Sequence, residues 1–276
     1  MKISHIKEVI PETNIMILSP HYDDVLFMLG GYIEALKSAN LLSTKQFDIK
    51  LIFAQSNYQA RTGEGNFDVS TSRIKFATGN RLIEDIQCNN ELLGSHNYKY
   101  ELLNELECFA RGKAFANSEM EFPHGMFPDF DENDHVIYER MKDRIRSYAA
   151  QSDTAIVFPM AIKEHIDHFI IREAGLFVAK ELGVNAHATF YFQEDKPYGG
   201  IATAEELARM DCFVTENNLH SCWFEYEPAE MIEMAFKHYI SQVEDVYKKG
   251  INDRAAYWQD QLLTSRGVDR ICKYQA

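Results

Sequence analysis

Two short clusters of histidine and aspartate have residue types that could bind a metal ion. The first spans His21 to Asp24 and includes Asp23, and the second spans His165 to His168. Imidazole nitrogens and carboxylate oxygens are typical ligands of a catalytic zinc, which takes three protein groups and leaves one position for water. A further carboxylate beside such a metal could act as general base on that water. The clusters therefore indicate metal-assisted hydrolysis as a candidate activity.

Each cluster lies between a predicted strand and a predicted helix. Residues 15–18 form an apolar run of strand length before the first cluster, and helical apolar spacing follows at 25–39. Residues 154–158 and 164–182 repeat this arrangement around the second cluster. The carboxyl ends of parallel strands meet at one edge of an α/β sheet, where ligands bind. We therefore expect the two clusters to lie close together and to share one metal site.

The same clusters have a simpler explanation as helix starts. Aspartate is favoured at the N-cap and in the first turn, where it meets unpaired N–H groups and the positive end of the helix dipole. This explanation stays open for each cluster taken alone. Two observations favour a shared site: both clusters follow a buried strand, and His165 and His168 are three residues apart, so that they face the same side of a helix.

The wider pattern predicts an α/β protein, because strands that alternate with helices imply a parallel sheet with right-handed crossovers. We predict a single domain over residues 1–276, with an irregular insertion at 95–133 that lies over the site. His124 and His135 fall in this insertion, and we expect them to be ordinary loop or surface histidines. The predicted strands are 15–18, 47–54, 154–158 and 186–192, and the predicted helices are 25–39, 73–93, 136–149, 164–182, 203–210, 231–249 and 253–263.

The composition argues against several classes of function. The chain has 276 residues and a formal net charge of −14, and such an acidic surface repels phosphate backbones and anionic lipids. No apolar run reaches the length of a membrane span, and the N-terminus lacks the pattern of a signal peptide. The five cysteines are scattered, as is typical of reduced thiols. We therefore expect a cytoplasmic protein that binds neither nucleic acid nor membranes, and a homo-oligomer remains open.

The two clusters resemble the motifs of the LmbE-like family, which is named for the N-acetylglucosaminyl-phosphatidylinositol de-N-acetylase. Members carry a Pro-His-Pro-Asp-Asp-Glu type of motif after the first strand and a His-x-Asp-His motif past the middle of the chain. Here these segments read Pro20-His-Tyr-Asp-Asp-Val25 and His165-Ile-Asp-His168, so that Tyr22 and Val25 depart from the usual pattern. The resemblance spans most of the chain and implies a Rossmann-like fold, with the site at the carboxyl edge of a mostly parallel sheet flanked by helices.

The resemblance also implies a role for each polar residue of the clusters. Some would hold zinc, or another divalent metal, and the others would move protons or orient a histidine. They are His21, Asp24 and His168 as metal ligands, Asp23 as general base, His165 as general acid or as stabiliser of the oxyanion, and Asp167 as the support of a histidine.

Two further segments look like family motifs, namely Arg81-Leu-Ile-Glu84 and Tyr239-Ile-Ser-Gln242. By resemblance Arg81 would face the substrate and Glu84 would orient it, although an exposed helix face would explain this pair equally well. The reaction implied by the resemblance removes acetyl from an N-acetylated amino sugar or its conjugate. Aromatic residues at 122–130 and 190–198 could stack on the sugar rings, or could belong to the core or to an oligomer contact.

Other functions remain as rivals of hydrolysis. A nucleotide-binding Rossmann domain would need a glycine-rich turn after the first strand, and the sequence has acidic residues there instead. A serine hydrolase would need a Gly-x-Ser-x-Gly elbow, which the chain lacks. A non-catalytic metal-binding protein with the same fold stays open, because metal ligation alone does not establish catalysis.

Overall fold

A seven-stranded sheet runs through the chain in the order β3-β2-β1-β4-β5-β7-β6. The computed structural model describes residues 2–60, 67–115, 123 and 125–276. The first five strands in the chain pair in parallel, and the last two form an antiparallel pair, of which β7 also pairs antiparallel with β5. The strands are β1 (Asn14–Ser19), β2 (Gln46–Leu51), β3 (Tyr98–Leu102), β4 (Thr154–Pro159), β5 (Thr189–Gln193), β6 (Leu219–Tyr226) and β7 (Gly267–Tyr274).

Strand β1 lies at the point where the strand order reverses. Its residue Ile17 pairs with Ile49 of β2 on one side and with Val157 of β4 on the other. The chain passes from β1 to β2 and β3 in one direction and resumes with β4 and β5 in the other. Such switch points form a crevice at the carboxyl ends of the strands, which is the usual ligand site of open α/β sheets. Both His/Asp clusters follow strands that border this crevice.

Helices cover both faces of the sheet. Along β1, Ile15 and Ile17 belong to one apolar core while Met16 and Leu18 belong to another, as the alternation of side chains across a strand requires. A parallel strand covered on both faces is apolar throughout, which explains the unbroken apolar run in the sequence. The helices are α1 (Ile6–Val9), α2 (Asp24–Ser38), α3 (Thr71–Leu93), α4 (Glu132–Tyr148), α5 (Ile166–Leu182), α6 (Tyr198–Ile201), α7 (Ala204–Glu216), α8 (Pro228–His238) and α9 (Asp245–Leu262).

The fold class predicted from the sequence is confirmed, with differences in detail. Strands β6 and β7 were not predicted. The supposedly irregular stretch 95–133 contains β3, whose alternating residues suit an exposed edge strand paired only with β2. The predicted helix 231–249 is interrupted between α8 and α9 by residues 239–244.

None of the described helices combines the length and the apolar character that crossing a bilayer requires. The five cysteines all lie within the described residues and form no disulfide.

Candidate active site

The first cluster lies in a tight turn between β1 and α2. The hydroxyl of Ser19 donates to the carbonyl of His21 at 2.8 Å, and the backbone N–H of His21 donates to Asp24 Oδ2 at 2.8 Å. Asp23 occupies the N-cap position of α2, but its side chain makes no capping hydrogen bond. A helix start alone therefore does not account for Asp23, whose carboxylate instead lines a cavity at the edge of the sheet.

The second cluster opens α5 and is almost completely buried. His165 is the N-cap residue, and its Nδ1 accepts a hydrogen bond from the backbone N–H of Asp167 at 3.2 Å. Because Nδ1 accepts this bond, the proton of a neutral His165 ring resides on Nε2. Burial, reinforced by the neighbouring histidines, lowers the pKa of His165 well below its usual range. His165 is therefore a neutral imidazole that can donate a hydrogen bond from Nε2.

Three donor atoms from the two clusters converge on one point. His21 Nδ1 and His168 Nε2 lie 3.3 and 3.2 Å from Asp24 Oδ2, and the two nitrogens are 3.3 Å apart. A tetrahedral zinc with bonds of about 2.0–2.2 Å separates its nitrogen and oxygen ligands by roughly 3.3–3.5 Å. The spacing of the three atoms thus matches one face of such a tetrahedron. The structure brings together the three residues that the resemblance implied as metal ligands.

His21 Nε2, the ring nitrogen that points away from Asp24, contacts the Asp167 carboxylate, which has several hydrogen-bond donors around it. His21 Nε2 lies 2.9 Å from Asp167 Oδ2, which also accepts the backbone N–H of Cys108, and Arg111 donates to Asp167 Oδ1 at 2.7 Å. Burial alone would raise the pKa of Asp167, but the Arg111 guanidinium and His21 outweigh it and hold this pKa well below its usual range. An ionised Asp167 requires a proton on His21 Nε2, which leaves the Nδ1 lone pair for a metal.

A second carboxylate orients His168 in the same way. Asp195 Oδ2 lies 3.4 Å from His168 Nδ1, and the Asp195 carboxylate accepts the backbone N–H groups of Met160 at 3.0 Å and Ile162 at 3.2 Å. The 3.4 Å contact is close but is not aligned as a hydrogen bond, and the nearby acceptor favours a proton on His168 Nδ1, while Nε2 lies at the point shared with His21. Burial lowers the pKa of both histidines, but the neighbouring carboxylates outweigh it and raise the pKa of His21 to about 9 and that of His168 above its usual range. A metal bound at His21 Nδ1 and His168 Nε2 would therefore displace a proton from each ring.

A further set of three residues could also hold a cation, namely His21, His165 and Asp167. In this set Asp167 already accepts hydrogen bonds from Cys108, His21 and Arg111. A metal there would have to displace the proton between His21 and Asp167, which the Arg111 charge does not favour. The set with Asp24 and His168 is the better metal site.

Asp23 lies beside this centre and faces an arginine. Arg81 reaches Asp23 Oδ1 at 3.4 Å and forms shorter bonds to Glu107 at 2.9 Å and to Ser56 at 3.0 Å. Burial raises the pKa of Asp23, and Arg81 opposes this rise. A carboxylate with a raised pKa accepts a proton more readily than an exposed one, which is the property of a general base.

Comparisons with known proteins show what this architecture is similar to. No family model and no curated protein sequence matches the chain. Solved structures do match, and a complex of teicoplanin with a deacetylase from its biosynthesis pathway has a TM-score of 0.63 at 18% identity, over 95% of this chain and 98% of that chain. The chain shares the fold of these deacetylases.

Two more deacetylases show the same similarity. The A40926 pseudoaglycone deacetylase has a TM-score of 0.58 at 17% identity, over 95% of this chain and 97% of that chain. The N,N'-diacetylchitobiose deacetylase from Pyrococcus horikoshii has a TM-score of 0.52 at 11% identity, over 98% of this chain and 86% of that chain. The fold expected from the resemblance to the LmbE-like family is therefore confirmed.

The structure places the two residues of the predicted pair on α3 in different surroundings. Arg81 is 4% exposed and faces the cavity, so the exposed-face explanation is wrong for it. Glu84 does not bond to Arg81; its carboxylate accepts the backbone N–H and the hydroxyl of Ser241 at 2.8 and 2.7 Å. The partners that orient Arg81 are Glu107 and Ser56, neither of which was singled out in the sequence.

The aromatic residues of the cavity are also mostly different from those expected. Phe190 and Phe192 of β5 lie in the core because the strand is covered on both faces. The part of 122–130 that includes Phe122 and His124 lies outside the described residues, and Phe127 packs against Tyr138 and Phe169 away from the metal cluster. The aromatic side chains that line the cavity are Phe27, Tyr58, Phe109, Tyr198 and Tyr247.

Several functional positions were missed from the sequence. Glu107, Cys108 and Arg111 follow β3 in a stretch without helical or strand periodicity, and their importance depends on contacts with residues far away in the chain. Asp195 did carry a signal, because it follows β5 by two residues as the clusters follow β1 and β4. The rule that directs attention to the carboxyl ends of parallel strands would have found it.

Proposed function

We propose that the chain is a zinc-dependent N-deacetylase that removes the acetyl group from an N-acetylated amino sugar or its conjugate. The observation that carries the proposal is the convergence of His21 Nδ1, Asp24 Oδ2 and His168 Nε2 at mutual distances of 3.2 to 3.3 Å. The similarity in fold to several deacetylases supports the same reaction class. Two nitrogens and one oxygen with a free fourth position are the ligand set of a catalytic rather than a structural zinc.

The residues around the centre suit hydrolysis of an amide by water. A zinc ion held by His21, Asp24 and His168 would supply a Lewis acid for water and for the acetyl carbonyl. Asp23 accepts the proton of the attacking water, and Arg81, 3.4 Å from its Oδ1, opposes the rise of the Asp23 pKa that burial causes. The raised pKa of Asp23 allows it to hold that proton, and the more basic departing amine can then take it.

His165 acts as a hydrogen-bond donor in this proposal. Its pKa lies well below the usual range, so it holds no extra proton to give as a general acid. Its Nδ1 accepts the N–H of Asp167, its Nε2 carries the proton and lies 4.0 Å from Cys108 Sγ, and His165 is among the residues that line the cavity. A donor fixed before the reaction stabilises the oxyanion that develops on the acetyl oxygen.

Metal removal and replacement test the proposal. The protein is stripped with a chelator, reconstituted with zinc below, at and above one equivalent, and assayed for acetate release from N-acetylglucosamine and N,N'-diacetylchitobiose. One of the similar structures is a zinc-inhibited form of teicoplanin deacetylase, so the titration must separate activation from inhibition. We expect activity to rise up to one equivalent. A protein that binds one zinc and releases no acetate from any N-acetyl amino sugar would instead be a non-catalytic metal-binding protein.

A further inference from the structure

The segment between α8 and α9, residues 239–244, is fixed to helix α3 by two adjacent acidic residues. Asp85 accepts the hydroxyl of Tyr239 at 2.7 Å. Glu84 accepts both the backbone N–H and the hydroxyl of Ser241. The next residue, Gln242, is 2% exposed and lines the same cavity as Asp23. The two motifs that the sequence singled out on α3 and after α8 therefore form one unit, whose end points into the site.

The hydrogen bonds of this unit determine which way the Gln242 amide faces. A hydroxyl has one proton, and that of Ser241 is directed to Glu84 Oε2 at 2.7 Å. Ser241 Oγ can therefore only accept from Gln242, so the side-chain atom 2.9 Å from it must be the amide nitrogen. The amide oxygen of Gln242 accepts no hydrogen bond from the part of the chain that the structure describes, and it is not a fully enclosed atom. It is a fixed acceptor on the cavity wall.

We propose that Gln242 is a substrate-binding residue whose amide oxygen accepts a hydrogen bond from a ring hydroxyl of the amino sugar. Glu84 and Ser241 are positioning residues that hold the amide in this orientation. The inference rests on the proposed deacetylase function and names a group of the substrate that the enzyme reads. An amino sugar offers hydroxyl donors around its ring, while the acetamide group must lie at the metal centre. The Gln242 amide oxygen, which lies on a different segment of the cavity wall from the metal cluster, would therefore favour a substrate with a ring hydroxyl at that point.

The test compares the best substrate of the acetate-release panel with analogues that lack one ring hydroxyl each. For the wild type we expect kcat/KM to fall about tenfold for one of these analogues, which corresponds to the loss of one hydrogen bond to a buried acceptor. Gln242→Leu should lose about tenfold on the parent sugar and show no further loss on that analogue. Ser241→Ala frees the amide to turn and should reduce the discrimination, whereas Ser241→Thr keeps a hydroxyl and should restore it.

Two controls separate a specific effect from loss of structure. Gln87→Leu makes the same chemical change at an exposed position of α3 outside the cavity, and it should keep the wild-type discrimination. Zinc affinity should be unchanged in every variant, because none of the altered residues belongs to the metal cluster. If Gln242→Leu does not fold, the contrast between Ser241→Ala and Ser241→Thr decides.

The outcomes distinguish this inference from the proposed function. In one outcome the zinc-loaded wild type releases acetate, and Gln242→Leu or Ser241→Ala discriminates among the analogues as the wild type does. This outcome overturns the role of Gln242 and leaves the deacetylase function in place. A wild type that hydrolyses no N-acetyl amino sugar overturns the deacetylase function and this inference with it.

Discussion

Replacing Asp195 by asparagine should weaken metal binding without removing a metal ligand. The Asp195 carboxylate accepts two backbone N–H groups, from Met160 and Ile162, and faces His168 Nδ1 at 3.4 Å. An asparagine has one oxygen in place of two. In one orientation its NH2 group faces His168 and Ile162, and in the other it faces Met160. In either orientation the asparagine NH2 group faces at least one backbone N–H, and two donors cannot form a hydrogen bond with each other.

The size of the effect follows from these contacts. With NH2 toward Ile162, that backbone N–H loses its acceptor, which costs about 1–3 kcal/mol of stability in the metal-free protein, whereas the Met160 N–H keeps the Gln193 carbonyl at 2.8 Å in the other orientation. In the orientation with NH2 toward His168, the ring must accept at Nδ1 and carry its proton on Nε2, where the metal would bind. Loss of such an outer partner usually reduces metal affinity by about 10–100-fold. We expect Asp195→Asn to fall in this range.

A competition titration with a chromophoric zinc chelator at pH 7.5 measures this affinity directly. Asp260→Asn serves as the matched control, because Asp260 is exposed on α9 far along the chain from the cluster. Affinity of Asp195→Asn within twofold of the wild type would refute the reasoning, since it would mean that the orientation of His168 does not depend on Asp195. The control should bind zinc as the wild type does.

Three further predictions concern buried charges. Arg111→Met leaves Asp167 without its guanidinium partner and should lower the free energy of unfolding by about 3 kcal/mol in urea titrations, and an unchanged unfolding midpoint would contradict the role given to this ion pair. Burial raises the pKa of Asp85 to about 8, so Asp85 in the folded protein keeps a proton that it loses in the unfolded chain above about pH 4. The free energy of unfolding therefore falls as the pH rises from about 4 to about 8, by up to about 1.4 kcal/mol per pH unit. Asp85→Asn should flatten this dependence between pH 5 and 8 in urea unfolding, and an equal slope in both proteins would count against a protonated Asp85. Asp23→Asn should retain zinc affinity while kcat for acetate release falls about 10²–10⁴-fold, and a variant with wild-type kcat would exclude Asp23 as the base.

Local sequence was sufficient for the parts of the fold that are apolar on both faces. Strand β1 is buried over residues 15–19 and helix α2 over residues 24–36, so their apolar patterns are long and clear. Strand β6 alternates between buried and partly exposed residues and includes His220 and Glu225, which weakens the apolar signal of a strand. Strand β7 contains the buried residues Asp269 and Arg270, whose charges are balanced by ion pairs with residues distant in the chain. No local pattern in the sequence reveals these ion pairs.

The candidate site divides in the same way. The metal cluster could be predicted because each half is a short motif at a strand end, and the sheet then joins the halves. The residues beside the cluster were harder to predict. Arg111 lies in a stretch without periodicity and contacts Asp167, 56 residues away, whereas Asp195 follows a strand end but contacts His168, which belongs to another element. Motifs in a sequence therefore identify the ligands of such a site more readily than the residues that hold them in place.

The interruption of the predicted helix 231–249 shows how tertiary contacts override helical propensity at a functional position. In a continuous helix the backbone N–H of Ser241 would donate to the carbonyl four residues earlier, at Lys237. It donates instead to the Glu84 carboxylate, and charge-assisted bonds of this kind are stronger than those between neutral groups. The helix therefore ends at His238, and the chain turns so that Gln242 reaches the cavity. A straight helix would satisfy the local pattern but would remove this contact between α3 and the segment that lines the site, which is the conflict expected where function competes with local structure.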